Sequence, residues 1–417
     1  MKEGYKNTEL GWIPDEWSIV RVEDICDRND KYSFTGGPFG SDLKSCHYTD
    51  DGVQVVQLQN IGEGYFNNDS RVYTSADKAD ELKTCNIYPN DIIIAKMAEP
   101  VARACKIPDN RSRYLMCSDG IRVAVNRNKY DNDFILYSIN SNYFRNNAIA
   151  NSTGSTRLRI GLSALRNLTL IVPTLKEQQK IAEILSTVDS QIYDTDRLIK
   201  KTKELKKGLM QRLLTKGIGH TEFKMTEVGE IPLDWEVENL EECIDTQTGY
   251  PFSSELFNIE RIGIPLIRIR DLITSNISTF YIGEYNQEFI VNYNDVLIGM
   301  DGEFNIVRWK NSEGLLNQRI CRITSKQYNL TYIYYSLQDI LKQIERETPS
   351  TTVKHLVIKD MLSRKVALPQ SEEQNKIANI ISLVDAQIED YENKKTKLEE
   401  LKKGLMQQLL TGKIRVV

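Results

Sequence analysis

Two stretches of the chain place apolar residues at helical spacing. In the first, Ile181, Leu185, Val188, Ile192, Ile199, Leu205, Leu209 and Leu213 fall on one face, and in the second Ile377, Ile381, Val384, Ile388, Tyr391, Leu398, Leu401, Leu405 and Leu409 do the same. Capping-box spacing at Thr174 with Glu177 and at Ser371 with Gln374, just after Pro173 and Pro369, predicts the starts; Gly217 and Gly412 mark the stops. Each helix is then roughly 40 residues, about 60 Å long at 1.5 Å per residue. Such a stripe packs either on a globular core or on another helix, and two matching helices in one chain predict mutual packing. The segments at about 15–168 and 233–365 read differently. Val53–Leu58, Asp91–Ala95, Ile121–Val125, Leu266–Ile269, Val296–Ile298 and Ile320–Ile323 have strand character, while Phe134–Ala150 and Thr331–Arg346 each read as a helix. The predicted fold class is α+β.

An internal repeat organises these elements. Residues 173–215 align with 369–411 at a constant offset of 196, with 25 of 43 positions identical, and the block Glu204–Gln211 recurs unbroken at Glu400–Gln407. Thr8–Pro14 with Trp17 matches Thr226–Pro232 with Trp235 at an offset of 218. Between these anchors the halves diverge, although landmarks keep their order: Gly36–Ser41 matches Gly249–Ser254, and Asn90–Ile94 matches Asn294–Ile298. The layout predicts a first domain at 1–172, a long helix at 173–218, a second domain at 219–368 and a second long helix at 369–417. A shared frame around two divergent interiors suits one machine applied to two targets.

Composition narrows the class. With 40% hydrophobic and 27% charged residues and no apolar run of membrane-spanning length, the chain reads as soluble. Its N-terminal residues lack the order of a secretory signal, so a cytoplasmic protein without membrane contact is expected. Seven scattered cysteines without a CxxC pair suggest neither disulfides nor zinc, and the three histidines lack metal-ligand spacing. The formal charge of −4 argues against a protein that coats nucleic acid unaided. Only the central stretch 173–220 is net basic, with 10 basic and 6 acidic side chains. There is no GxxxxGK loop for a nucleotide motor, and no Pro-Pro dipeptide of the kind that adenine methyltransferases use to hold a flipped base. The chain is not expected to be an enzyme.

The entry motif at Leu10–Trp17, the LPxxxEQxKIA helix entry at Leu368–Ala378 and the C-terminal LLTGKIRV at Leu409–Val416 resemble type I restriction-modification specificity subunits over nearly the whole chain. The resemblance implies two pseudo-repeated globular α/β target-recognition domains separated by two long antiparallel coiled-coil helices. Each domain would read one half of a bipartite site in double-stranded DNA. The helices would act as a spacer, two methyltransferase subunits would dock on the chain, and restriction subunits would complete the complex. S-adenosylmethionine and ATP would be carried by those partners, and this chain would hold no cofactor and no metal. The alternative class is a coiled-coil adaptor that binds only proteins. Two divergent domains in a preserved frame argue against it, since a symmetrical protein scaffold has no reason to vary only there.

Reading base edges calls for Arg, Lys, Asn or Gln on a structured element, while hydroxyls and cations hold phosphates. Lys96, Arg103, Lys106, Arg111 and Arg113 cluster after a strand in the first domain, and Arg308, Lys310, Arg319 and Arg322 occupy the matching region of the second. The polar turn with Ser155 and Thr156 runs into Arg157; its counterpart, with Thr351, Thr352 and Lys354, lacks the glycine. At an offset of 211, Gln57 and Gln59 correspond to Arg268 and Arg270. Both pairs alternate with apolar residues and are expected to share a strand face. Glutamine suits adenine and arginine suits guanine, so the halves would read different bases. In each case the alternative is an ordinary solvated surface.

Overall fold

The run Ile92–Ala95 is apolar at every position because both of its faces are buried. Ile92 and Ile94 pack in one core with Val22, Ile121 and Phe134, whereas Ile93 and Ala95 pack in another with Val55, Leu115 and Met116. Its counterpart Val296–Gly299 divides in the same way, Val296 and Ile298 facing Ile323 and Tyr332, and Leu297 facing Ile267 and Leu316. Each belongs to a four-stranded antiparallel sheet, in the order 104–106, 92–95, 120–123, 34–36 in the first domain and 306–308, 296–299, 320–325, 244–248 in the second. A five-stranded sheet accompanies each, ordered 48–49, 72–74, 53–56, 114–116, 86–87 and 257–258, 280–281, 264–267, 314–316, 290–291. In both, the third and fourth strands run parallel. The two domains thus share the topology of these two sheets strand for strand. Ser18–Arg21 pairs with Thr169–Val172, and Glu236–Asn239 with Lys365–Leu368, which brings each domain's start beside its end just before a long helix.

A computed structural model describes residues 4–416 other than 10, 98, 275 and 350–352. The chain divides into two units, 1–196 with 393–417 and 197–392. The long helices are Leu175–Lys216 and Ser371–Leu409, so each unit holds one domain, the first half of one helix and the second half of the other. In the first unit Asp189 pairs with Lys402 at 2.6 Å and Asp196 with Lys395 at 2.7 Å; numbers rise on one helix as they fall on the other, so the halves are antiparallel. In the second unit Lys206 pairs with Asp385 at 2.7 Å and Lys203 with Glu392 at 2.6 Å, again antiparallel. Each domain grips its helices alike: Tyr137 donates its hydroxyl to Asp189 at 2.7 Å, and Tyr335 donates to Asp385 at 2.8 Å.

The packing stripe needs one correction. Ile181, Leu185, Val188, Ile377, Ile381 and Ile388 are buried as expected, with Ile192, Leu209, Val384 and Leu405 half-buried beside them. Leu205 and Leu401, expected in the seam, are instead 54% and 50% exposed. Alternating four- and three-residue steps lead from Val188 through Ile192, Thr195, Ile199 and Thr202 to Lys206, and the buried Thr195 and Thr202 hold the places that apolar residues would normally mark. Leu205 lies one position off that course.

Other expectations shift for local reasons. The central helix starts after Thr174, but the Glu177 carboxylate leaves the predicted capping box to accept the Trp17 indole. Ser371 is already helical, with Gln374 N donating to the carbonyl of Gln370, and the Gln374 side chain bonds Pro369 O and Asn329 N rather than closing a box. Gly217 and Gly412 end the helices at φ +63° and +70°, where a Cβ would be strained. The helix predicted at 134–150 is two, Asn132–Ile139 and Asn142–Ala150. At the break, Ser141 caps the second helix, and the Asn140 amide pairs both backbone groups of Ala104 on the sheet edge. The seven cysteines are free thiols, five of them buried, and burial pushes Cys105 and Cys321 up to about 12.

Candidate nucleic-acid interface

Strand direction decides which candidates share an end of a domain. Val53–Val56 and Tyr114–Met116 are parallel and leave their sheet together, with Cys117 N donating to Val56 O at 3.0 Å. The exit of Ile92–Ala95 lies alongside: Lys96 N donates to Asp119 O, Gly37 N to Gly120 O, and Ile160 N to Lys96 O. Arg103 enters here because Ala104–Lys106 runs antiparallel to Ile92–Ala95. This end therefore collects Gln57, Gln59, Lys96, Arg103 and the exposed hairpin of Ser155, Thr156 and Arg157. The remaining three basic candidates lie at the other end. Lys106 pairs with Asp133 at 2.5 Å, Arg111 donates to Gly52 O ahead of strand Val53–Val56, and Arg113 pairs with Asp80. The basic cluster read along the sequence is thus divided by the fold.

The second domain repeats the arrangement. Arg268 and Arg270 follow strand Ile264–Ile267, which runs parallel to Gly314–Leu316, and Arg319 lies just beyond that partner. Met300 N donates to Arg319 O and Gly302 N to Lys354 O, so Arg268, Arg270, Arg319 and Lys354 occupy one end. Arg308 and Lys310 occupy the other, Arg308 bonding Thr331 and stacking on Tyr334 while Lys310 pairs with Glu389. Thr351 and Thr352 lie outside the described residues.

Gln57 and Gln59 do not share a strand face. The strand stops at Val56 because Asn60, only 1% exposed, turns its Oδ1 back to accept Gln57 N at 2.8 Å, which folds 58–60 into a short 3-10 turn. Asp271, also 1% exposed, accepts Arg268 N at 2.8 Å in the same way, and helix Ile269–Thr274 follows. The correspondence at an offset of 211 therefore describes two polar turns at strand ends. Gln59 Nε2 donates to Gln57 Oε1 at 2.7 Å; Arg270 bonds Ser278 and Thr279. Arg268 is exposed, and its charge acts on the buried Asp271 carboxylate behind it.

Several other candidates are bound to the protein itself. Lys96 is half-buried and donates to Ser118 O at 3.1 Å; burial first, and the charge of Arg159 second, hold its ammonium below the usual lysine range. Arg319 pairs with Asp301 at 3.5 Å, and Lys354 donates to Glu345 O. Asn60 and Asp271 were legible as an Asn or Asp three residues after Gln57 and Arg268, a turn signal hidden behind the alternation. Phe39, 81% exposed in the loop after Phe34–Gly36, stands at the same end of the first domain, whereas Phe252 in the matching loop is buried against Tyr281.

Two domains of one topology, each presenting a different set of polar side chains at the same end and each joined to antiparallel helix halves, define a duplicated recognition protein. The family model of the type I restriction modification DNA specificity domain matches residues 14–206 and again 232–402, and the chain belongs to that family. The MjaVIII type I restriction enzyme specificity subunit of Methanocaldococcus jannaschii is 28% identical over 438 residues, spanning 100% of this chain and 97% of that protein. The EcoBI specificity subunit of Escherichia coli is 33% identical over 178 residues, which cover 42% of this chain and 38% of the relative. The crystal structure of a type I restriction-modification S subunit from M. genitalium matches the fold with a TM-score of 0.59 at 18% identity, over 94% of this chain and 96% of that one. Among the described residues no helix is long and apolar enough to cross a membrane.

Proposed function

We propose that this chain gives a type I restriction-modification complex its DNA specificity, each domain reading one half of a bipartite, asymmetric site in double-stranded DNA through the strand-exit end described above. One observation carries this reading. The two domains keep the same turn, closed by the same kind of buried Asn or Asp, yet display glutamines in one and arginines in the other. Conserved geometry with changed hydrogen-bonding groups is what reading two different base sequences requires. The chain's net charge of −4 leaves it short of the electrostatic term that drives DNA affinity, so partner subunits supply that part.

The helix pair sets the distance between half-sites and docks two methyltransferase subunits; restriction subunits join in the full complex. Support comes from the repeated block. Glu204, Leu205, Lys207, Gly208 and Gln211 are exposed, and so are the identical Glu400, Leu401, Lys403, Gly404 and Gln407. Intramolecular packing asks nothing of these side chains, whereas one kind of partner bound twice asks for the same surface twice. S-adenosylmethionine and ATP belong to the partners, and the chain itself performs no catalysis and works in the cytoplasm beside the DNA. Reconstitution with the methyltransferase subunit tests the proposal: methylation of a bipartite motif is expected with this chain present and no methylation with either protein alone. Methyl transfer by the isolated chain would overturn it.

A further inference from the structure

The two reading turns are held in different ways. In the second domain Arg268 leads into helix Ile269–Thr274, which carries Arg270 in its first turn and whose own hydrogen bonds support the turn. In the first domain residues 58–60 form a single 3-10 turn closed by Ile61 N on Leu58 O at 3.1 Å, and one side chain from another element adds bonds to the carbonyls of Leu58 and Ile61. Arg103 Nη2 donates to Leu58 O at 2.8 Å, Nε donates to Ile61 O at 2.6 Å, and Nη1 donates to Glu99 O at 3.0 Å. The guanidinium thus bridges both ends of the turn that presents Gln57 and Gln59 and ties it to the loop leaving strand Ile92–Ala95. Asn60 completes the support from inside, donating to Asn67 O and Ser70 O while accepting Gln57 N. Where Arg103 stands in the first domain the second has Asn305, fixed by the matching bond of Gly299 N to Asn305 O as of Ala95 N to Arg103 O. Asn305 is too short to serve as such a bridge, and the helix that follows Arg268 makes one unnecessary.

We propose that Arg103 is a positioning residue for the first half-site: its guanidinium fixes the Gln57–Asn60 turn in reading geometry and does not itself bind the duplex. This rests on the reading of the strand-exit end as the DNA face. Three of the five guanidinium N–H donors, one on each nitrogen, are spent on backbone carbonyls, so neither edge of the fork is left with the pair of donors that a bidentate phosphate contact uses. The role is specific to one domain, so its loss is felt in one half of the motif. Lysine, a point donor, can hold only part of such a fork.

The test uses the complete complex of this chain with its methyltransferase subunits, acting on a plasmid pool of randomised duplex segments whose methylated positions are then sequenced, together with the salt dependence of binding to the same pool. Arg103→Met is expected to lower discrimination at first-half positions by about tenfold or more, with the second half unchanged; Arg103→Lys is expected to fall between. The slope of log affinity against log salt should not change. A slope lower by roughly one phosphate contact would show that Arg103 touches DNA, and would overturn the proposal while leaving the DNA face intact. Equal loss in both halves, in the lysine variant as well, would also overturn it, because that is the signature of general destabilisation. Gln57→Ala with Gln59→Ala keeps the two failures distinguishable. If the double variant retains the first half unchanged, the DNA-face reading fails and the proposal fails with it.

Discussion

Trp17 donates its indole N–H to Glu177 Oε2 at 3.0 Å, joining the first strands of the chain to the opening turn of the central helix. Trp235 donates to Glu373 Oε2 at the same 3.0 Å in the second unit. Each glutamate also meets a basic side chain that follows a helix-ending glycine. Glu177 binds Arg415 at 2.7 Å, with Glu16 on the far side of the guanidinium at 2.9 Å; Glu373 accepts from His220 Nε2 at 2.9 Å, with Asp234 beside Nδ1 at 3.3 Å. The repeat is thus preserved in the bonds that close each unit as well as in its sequence.

Glu177→Ala removes the acceptor of a buried indole and one of the two carboxylates that hold Arg415. A loss of about 1–3 kcal/mol in unfolding free energy is expected, since the Trp17 indole N–H left behind is fully buried while Arg415 is partly exposed and keeps Glu16. Glu177→Gln keeps an acceptor for Trp17 and should lose less. Urea unfolding of the two variants checks the order; equal stabilities would contradict it.

Asp189 with Lys402 and Asp385 with Lys206 are equivalent pairs across the antiparallel halves, each also touched by a tyrosine hydroxyl. With 36% and 23% of the side chains exposed in the first pair, solvent screening limits it to about 0.5–1 kcal/mol. A double-mutant cycle with Asp189→Asn and Lys402→Met should give a coupling of that size, falling as salt is raised. A coupling near zero at low salt would remove the pair from the account.

Leu205→Ser and Leu401→Ser should change the chain's own stability by less than about 0.5 kcal/mol, because both side chains are already in solvent. Their effect is expected on methyltransferase capture, measured by titration calorimetry or pull-down with the purified partner. Stability lost without a change in partner affinity would place these leucines in the fold instead.

Much of this architecture could be read along the chain. The constant offset of 196 and the stripes through Ile181 and Ile377 gave both helices, and the landmark pairs gave two like domains. What escaped depended on contacts distant in sequence. Polar Thr195 and Thr202 hid the true course of the seam, so that Leu205 looked like its continuation. The alternation Val55-Val56-Gln57-Leu58-Gln59 carried no sign that the Asn60 side chain ends the strand at Val56. Lys96 and Lys106, ten residues apart, fall at opposite ends of a domain because the strands between them reverse direction, and Arg103 faces backbone carbonyls that local pattern does not reveal.

The ruler role makes a geometric prediction. The homologous points after Asp196 and after Glu392 lie within the two helices. Seven residues of matched helical sequence inserted at both keep the four-and-three seam in register and add about 10 Å of rise. The gap between half-sequences should grow by about three base pairs at 3.4 Å each, with the half-sequences themselves unchanged. An active variant with the original gap would show that the helices do not set the distance.

The most direct measurement is a map of methylated positions in cells that carry only this chain and its methyltransferase partner. The account predicts one asymmetric motif of two short half-sequences separated by a fixed number of unspecified base pairs, the first half altered by Gln57→Ala with Gln59→Ala and the second by Arg268→Ala. A continuous motif, or a change in both halves from either variant, would contradict it.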